Sequence, residues 1–242
     1  MTTVPTGFSN AIDSIAGCAR LASAKAYFYM IFVLMAGGVA GCSVIDKPTR
    51  ATLYDFGPGV LASQLAAPLA VSAPVPALPP LAIADIATPG GALDNQAVLY
   101  RLSYQDAQQL RPYSLARWTM PPAQLLRQRL RERLSQQRIV LTAREGVALN
   151  RSQNASLPLL RLELEEFSQL FSAPATSVGL VRLHATLVEI TPAGERLVAQ
   201  RSVAVQRPAT TADAAGGVRA LTAATDAAID ELDQWVRQTP PR

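Results

Sequence analysis

Few side chains in this chain have the chemistry of a catalytic or metal site. Its 242 residues include one histidine, His184, and two cysteines, Cys18 and Cys42. Zinc takes three or four nitrogen, sulfur or carboxylate ligands in proteins, so three scattered residues cannot form a multi-histidine site, and two cysteines cannot form a disulfide scaffold. The sequence has neither a G-x-S-x-G turn nor a phosphate-binding loop. We therefore expect no catalytic residues, no cofactor and no metal.

Cys42 is the one potential nucleophile in a distinctive setting. It ends the run Val39-Ala40-Gly41-Cys42, which closes an uncharged segment of 20 residues, 26–45, preceded by Arg20 and Lys25. A basic region, an apolar region and small residues in that order are typical of a secretory signal. With the final cysteine, the pattern resembles the bacterial lipobox. The Cys42 thiol would then take a diacylglyceryl group before cleavage on its N-terminal side.

Two other interpretations of this segment remain open. About 20 apolar residues can span a bilayer, although Gly37, Gly38 and Gly41 argue against one continuous helix. A buried core helix is favoured least, because no face of the segment is polar. The similar run Ile15-Ala16-Gly17-Cys18 lacks an apolar or basic segment before it.

The lipobox interpretation predicts a signal peptide over residues 1–41 and a lipidated mature chain from Cys42. Each buried CH₂ of an acyl chain contributes about 0.8 kcal/mol of membrane affinity, so several chains would hold the protein on a membrane. Ser43 follows the cysteine, where an aspartate commonly retains Gram-negative lipoproteins in the inner membrane. We therefore expect a location on the outer membrane, facing the periplasm.

The mature chain contains signs of one folded domain. Residues 58–80 hold six prolines and no charge, which favours an extended tether or a long surface loop. Short strands are predicted over 51–56, 81–87, 97–103 and 139–143, and helices over 123–137 and 218–236. Three longer segments alternate apolar and polar residues, as half-buried antiparallel strands do, around residues 160–165, 181–187 and 197–205.

These elements predict an α/β fold: an open mixed sheet with a long antiparallel meander and two packed helices. The predicted boundaries are a lipidated N-terminus with a short strand over 42–57, a Pro/Ala tether over 58–80 and the folded domain over 81–238.

An arginine-rich segment is the main candidate for a binding surface. Residues 111–138 hold seven arginines and one acidic residue, Glu132, in a chain of net charge +4. The export signal argues against nucleic acid, so we predict docking to an acidic partner or to lipid phosphates. The predicted docking residues are Arg117, Trp118, Arg127, Arg129, Arg131 and Arg133. Alternatively, these arginines form a solvated helix face balanced by the acidic terminal helix, and Trp118 covers the edge of the core.

The order of these features resembles the ABC-type transport auxiliary lipoprotein family. The lipobox is followed by the strand Leu53-Tyr54-Asp55-Phe56, the Pro/Ala segment and the strand 98–103. Arg117-Trp118, a proline before an amphipathic helix, the meander and a terminal helix with Trp235 complete the pattern.

This resemblance implies a non-enzymatic accessory of ABC or MCE-type systems, including the paraquat-inducible system, that move phospholipid across the periplasm. It also implies a periplasmic MCE protein and ABC transporter components as partners, and self-association. The alternative is an outer-membrane lipoprotein that assists assembly of another envelope complex. A lipid-anchored hydrolase is disfavoured by the missing catalytic motifs.

Replacing Cys42 with alanine should prevent acylation and cleavage, because the acceptor thiol is lost, and leave a precursor in the inner membrane. Incorporation of labelled palmitate and the mass of the product measure both steps. The matched control, Cys18→Ala, should be processed normally. Equal palmitate incorporation into the Cys42→Ala protein would rule out lipidation at this residue.

Overall fold

The computed structural model describes residues 50–59, 78–153 and 156–239, which belong to one compact unit beginning at Arg50. Within these ranges, eight strands and three helices alternate in an α/β order. In chain order they are β1 (Thr52–Tyr54), β2 (Leu78–Ile83), β3 (Ala97–Leu102), β4 (Asp106–Trp118), α1 (Pro122–Ser135), β5 (Arg138–Thr142), α2 (Ala143–Gln153), β6 (Leu157–Ala173), β7 (Thr176–Thr191), β8 (Gly194–Pro208) and α3 (Ala214–Gln238).

Strand β6 connects all parts of the sheet. Along one edge it pairs antiparallel with β7, which pairs in turn with β8 to form a meander. Its other edge is shared by two parallel partners, β2 near the N-terminal half and β3 near the C-terminal half. Strand β5 extends the sheet from β2, while β4 and β1 extend it from β3. The predicted open mixed sheet with a long antiparallel meander is thus confirmed.

Helix α3 covers the meander and buries a continuous apolar stripe. Leu221, Ala228 and Leu232 are fully buried at helical spacing. The helix begins at the cap Asp213, whose carboxylate accepts a hydrogen bond from the Gly216 amide at 2.7 Å. That bond holds the pKa of Asp213 below its usual range.

Helix α1 starts at Pro122, where the missing amide hydrogen costs nothing because the first turn has no acceptor for it. Its buried residues include Leu126, Leu130 and Leu134, the row that the sequence spacing indicated. This helix and α3 are the two packed helices of the prediction.

A third helix, α2, was not predicted from the sequence. Its buried positions are Gly146 and Asn150, so no apolar stripe marks the helix. A Cβ on Gly146 would lie 2.8 Å from Leu157, which shows how closely the helix approaches the sheet. The Asn150 amide donates to the Ile190 carbonyl at 3.0 Å. The close approach at Gly146, the Asn150 hydrogen bond and the partly buried Ala143 and Val147, which pack against the core, therefore seat α2.

The N-terminal strand rejoins the domain across the Pro/Ala segment 58–80, and the predicted end of that segment at residue 80 overlaps β2. Before it, β1 pairs in parallel with the end of β4, and Phe56 is buried in the core. After it, Leu78–Pro80 already belongs to β2. The segment therefore connects two parts of the same unit and does not separate the N-terminus from the domain; residues 60–77 lie outside the described residues.

Phe56→Ala should destabilise the domain strongly. The Phe56 ring packs against Trp118, with centroids 5.6 Å apart, and against Phe167, at 6.0 Å. Losing a buried phenylalanine costs about 3–5 kcal/mol. Urea unfolding followed by tryptophan fluorescence measures the change. The neighbouring control Leu53→Ala, at a side chain 64% exposed, should stay within about 0.5 kcal/mol of the wild type. Equal stability of the two variants would contradict docking of the N-terminal segment.

Candidate docking surface

Trp118 does not belong to a docking surface. It has no solvent exposure and contacts Phe56 and Phe167 edge-on. Strand alternation explains the correction: Ala116 and Trp118 face the core, whereas Arg117 between them is partly exposed. Among the described residues, the Trp118 indole nitrogen is a buried donor without an acceptor, which fits an aromatic side chain placed for its packing.

Two of the predicted docking arginines are engaged with the terminal helix. Arg129 pairs with Asp226 at 2.7 Å and Arg133 with Asp230 at 3.0 Å. The next arginine along the chain, Arg138 at the start of β5, pairs with Asp233 at 3.2 Å. We call these three pairs the α1–α3 seam. Arginines of α1 thus pair with aspartates of α3, as expected if the two oppositely charged helices are neighbours.

The seam is most buried at Arg138. The side chains of Arg138 and Asp233 are 5% and 12% exposed, against 43% and 57% for Arg133 and Asp230. Burial lowers the pKa of the Arg138 guanidinium, because the charged form loses hydration. Its Nε atom also has no partner among the described residues. Arg138 is therefore charged, dehydrated and dependent on Asp233.

Arg129 joins the seam to the N-terminal segment. Its hydrogen bond to Asp226 raises the pKa of the guanidinium, and a second nitrogen donates to the Phe56 carbonyl at 3.3 Å. Gly59 has φ of +57°, and a Cβ there would clash with the Arg129 guanidinium at 1.8 Å. A glycine is thus required where the chain leaves β1 and passes this arginine.

The remaining predicted arginines are partly or fully exposed. Arg127 pairs with the exposed Asp85 at 2.7 Å, and Arg131 donates weakly to the Val140 carbonyl at 3.4 Å. Both line a groove of about 750 Å³ between α1 and residues 85–94. Arg117 instead donates to the carbonyls of Tyr113 and Ala116, on strand β4.

The chemistry that this arrangement offers is binding. Within residues 50–59, 78–153 and 156–239, no group of three histidine, cysteine or acidic side chains could hold a metal ion. His184 lies on β7, partly exposed, with Nδ1 3.3 Å from the Ser202 hydroxyl. The groove is lined by arginine, glutamine and acidic side chains, which suit hydrogen bonds and ion pairs.

Residues 63–232 match the family described as ABC-type transport auxiliary lipoprotein component. The chain belongs to this family. Membership makes it an auxiliary lipoprotein that associates with transporter components at a membrane of the cell envelope. No curated protein matches the chain.

The chain is similar to several solved structures. A protein of family DUF330 from Xanthomonas campestris, XCC0632, is 19% identical, with a TM-score of 0.56 over 69% of this chain and 90% of its own. An uncharacterized protein is 13% identical, with a TM-score of 0.49 over 79% and 99% of the two chains. The hypothetical protein CT253 from Chlamydia trachomatis is 8% identical, with a TM-score of 0.47 over 67% and 98%.

Cys42, the predicted lipidation residue of this auxiliary lipoprotein, lies outside the described residues, as does the whole of the predicted signal 1–41. None of the helices in the described part of the chain is long and apolar enough to cross a membrane.

Asp233→Asn should destabilise the auxiliary lipoprotein far more than Asp230→Asn. The first change leaves the buried Arg138 without its counter-charge, at a cost of about 3–5 kcal/mol. The second removes a pair exposed to water, worth about 0–1 kcal/mol. Urea unfolding of both variants measures the difference.

The double variant Arg138→Met with Asp233→Leu provides the control for this prediction. It removes both buried charges and should recover most of the stability lost in Asp233→Asn. An equal loss of unfolding free energy in Asp233→Asn and Asp230→Asn would show that burial does not determine how much each ion pair of the seam contributes.

Proposed function

We propose that this auxiliary lipoprotein is anchored to the outer membrane through acyl chains on Cys42 and serves an MCE-type phospholipid transport system without enzymatic activity. The family match over residues 63–232 carries the proposal. The lipobox supports the anchor, and Ser43 supports the outer membrane. Partners under this proposal are the periplasmic MCE protein, the ABC transporter components and further copies of the chain.

The docked strand β1 sets how far the domain can move from its anchor. Only ten positions separate Cys42 from Thr52, where β1 begins. Ten residues span at most about 35 Å when fully extended. The domain therefore works close to its own membrane, and a partner such as an MCE protein must come to it.

The groove beside α1 is the docking site that we propose for this partner. Arg127 and Arg131 lie four residues apart on one helix and line its α1 side together with Gln124 and Gln128, while Asp85 and Asp94 line it from the segment 85–94. Arg131 is exposed and lacks an acidic partner within hydrogen-bonding range in the described part of the chain. Charge complementarity mainly orients and accelerates encounter, so an acidic partner surface fits this edge. Arg129 and Arg133 are left out, because the α1–α3 seam already uses them.

Arg131→Glu should reduce recovery of the MCE protein when the tagged, lipidated protein is isolated from crosslinked cells. The substitution reverses one exposed charge in the groove and leaves the seam intact. Arg144→Glu is the matched control: it makes the same charge change at an exposed site on α2 that does not line the groove. Urea unfolding should show both variants to be as stable as the wild type.

Two outcomes would overturn parts of this proposal separately. Equal recovery of the MCE protein with Arg131→Glu and Arg144→Glu would place the docking site elsewhere. If the wild-type protein recovers another envelope complex and no MCE or ABC component, the transport role itself is wrong and assembly of that complex takes its place.

A further inference from the structure

A second surface lies at the opposite end of the sheet from β5, and the docking groove does not use it. Two large apolar side chains are exposed there on neighbouring strands: Leu53 on β1, 64% exposed, and Leu115 on β4, 49% exposed. Single exposed leucines are ordinary on protein surfaces. Here two exposed leucines lie on adjacent strands, and one of these strands, β1, is the first after the predicted anchor. The pair therefore needs an explanation.

Arg117 adds a positive charge to the same face. It is the register partner of Leu53 across the parallel β1–β4 pair, so the two side chains lie next to each other on one side of the sheet. Exposure alternates along the end of β4, which places Leu115 with Arg117 and away from the core. The Arg117 guanidinium donates only to main-chain carbonyls, so its charge is not matched by a carboxylate of the described residues.

A shallow depression continues this face across β3 and β4. It has a volume of about 690 Å³ and is lined by Ala97, Leu99, Leu110, Pro112 and Arg117, together with Ala92, Asn95 and Gln96. No acidic side chain lines it. Arg50, two residues before β1, is also exposed. The surface is thus apolar in its centre and cationic at its edge.

We propose that the face formed by Leu53, Leu115 and Arg117 rests on the bilayer that holds the lipid anchor, an inference that depends on the proposed lipidation of Cys42. A folded unit of about 190 residues has a radius of gyration of about 16 Å, so a leash of at most about 35 Å keeps β1 within one domain width of the membrane. Of the strands in the sheet, β1 comes first after Cys42 in the sequence, and it carries Leu53 on this face.

A lipid surface matches the chemistry of this face. Leucine side chains enter the boundary between headgroups and acyl chains, as the apolar side of an interfacial segment does. Arginine reaches lipid phosphates while its apolar stem stays below them, and anionic lipids attract such cations. The anchor would then fix the distance of the domain from the bilayer, and the leucine–arginine face would fix its orientation.

A fluorophore at single engineered cysteines tests this orientation in the full lipidated protein. The mature chain has no cysteine besides Cys42, so Leu53→Cys and Leu115→Cys each give one labelling site for a nitrobenzoxadiazole probe. The matched controls are Ile139→Cys on β5 and Leu197→Cys on β8, whose native side chains are 64% and 60% exposed. Vesicles of phosphatidylethanolamine and phosphatidylglycerol receive the labelled proteins.

Flotation with the vesicles and the mass of the modified Cys42 are measured first. We then expect a blue-shifted probe at residues 53 and 115 that is quenched by spin-labelled lipid, and an aqueous spectrum at residues 139 and 197. Adding Arg117→Gln should reduce the shift at residue 115 in phosphatidylglycerol vesicles and leave it unchanged in phosphatidylcholine vesicles.

The failures of the anchor and of the surface are distinguishable. A protein that lacks acyl chains and does not float contradicts the proposed anchor. A protein that floats, with equal spectra at all four sites, contradicts the membrane-facing surface. A shift at residues 53 and 115 that grows with protein density and resists quenching by spin-labelled lipid would assign this face to a second copy of the chain and overturn the proposal.

Discussion

Burial of Phe56 is the contact on which the functional geometry of this protein depends. Its ring packs against both Trp118 and Phe167, which also contact each other, so the segment that follows β1 becomes part of the core. Strand β1 alone has only three residues and pairs with one neighbour, too little to hold by itself. Burial of the Phe56 ring removes about 150–250 Å² of aromatic surface from water. This burial stabilises the docked position of the short strand β1. Strand β1 therefore belongs to the same compact unit as the rest of the described chain.

The α1–α3 seam shows why a charge pattern in the sequence has two meanings until the partners are known. Seven arginines around α1 and the acidic residues of α3 are visible in the sequence, but their pairing across 97 positions is not. An exposed pair contributes little to stability, whereas a buried arginine without its carboxylate is costly. The seam therefore disfavours incorrect packing of α3, because only the native arrangement places Asp233 beside the buried Arg138. The same chemistry removes Arg129 and Arg133 from any external partner.

The sequence was informative where one physical rule governs a long segment. Alternation of apolar and polar residues predicted β6, β7 and β8, and the leucine row of α1 was equally clear. Strand β4 was missed because Pro112 and the polar residues before it interrupt the pattern, and its pairing with β3 shifts register twice. Helix α2 was missed because Gly146 and Asn150 occupy its buried positions. Whether β1 returns to the sheet across 58–80 could not be decided from the sequence, because local composition carries no information on it.

Among the docking candidates, residue type alone did not separate the buried Trp118 and the paired Arg129 and Arg133 from the exposed Arg131. Whether an arginine in this region is available depends on which acids lie within about 4 Å of it, a property of the fold. Under the proposed anchor at Cys42, the short leash also changes what weak binding can achieve. Confinement near a membrane raises the effective concentration of a partner held at the same surface, into the millimolar range for short flexible linkers. Individual contacts in the groove beside α1 can therefore be weak and exchangeable while the assembly persists. Under that proposal, a domain kept near its bilayer meets the physical requirements for organising a complex at the membrane.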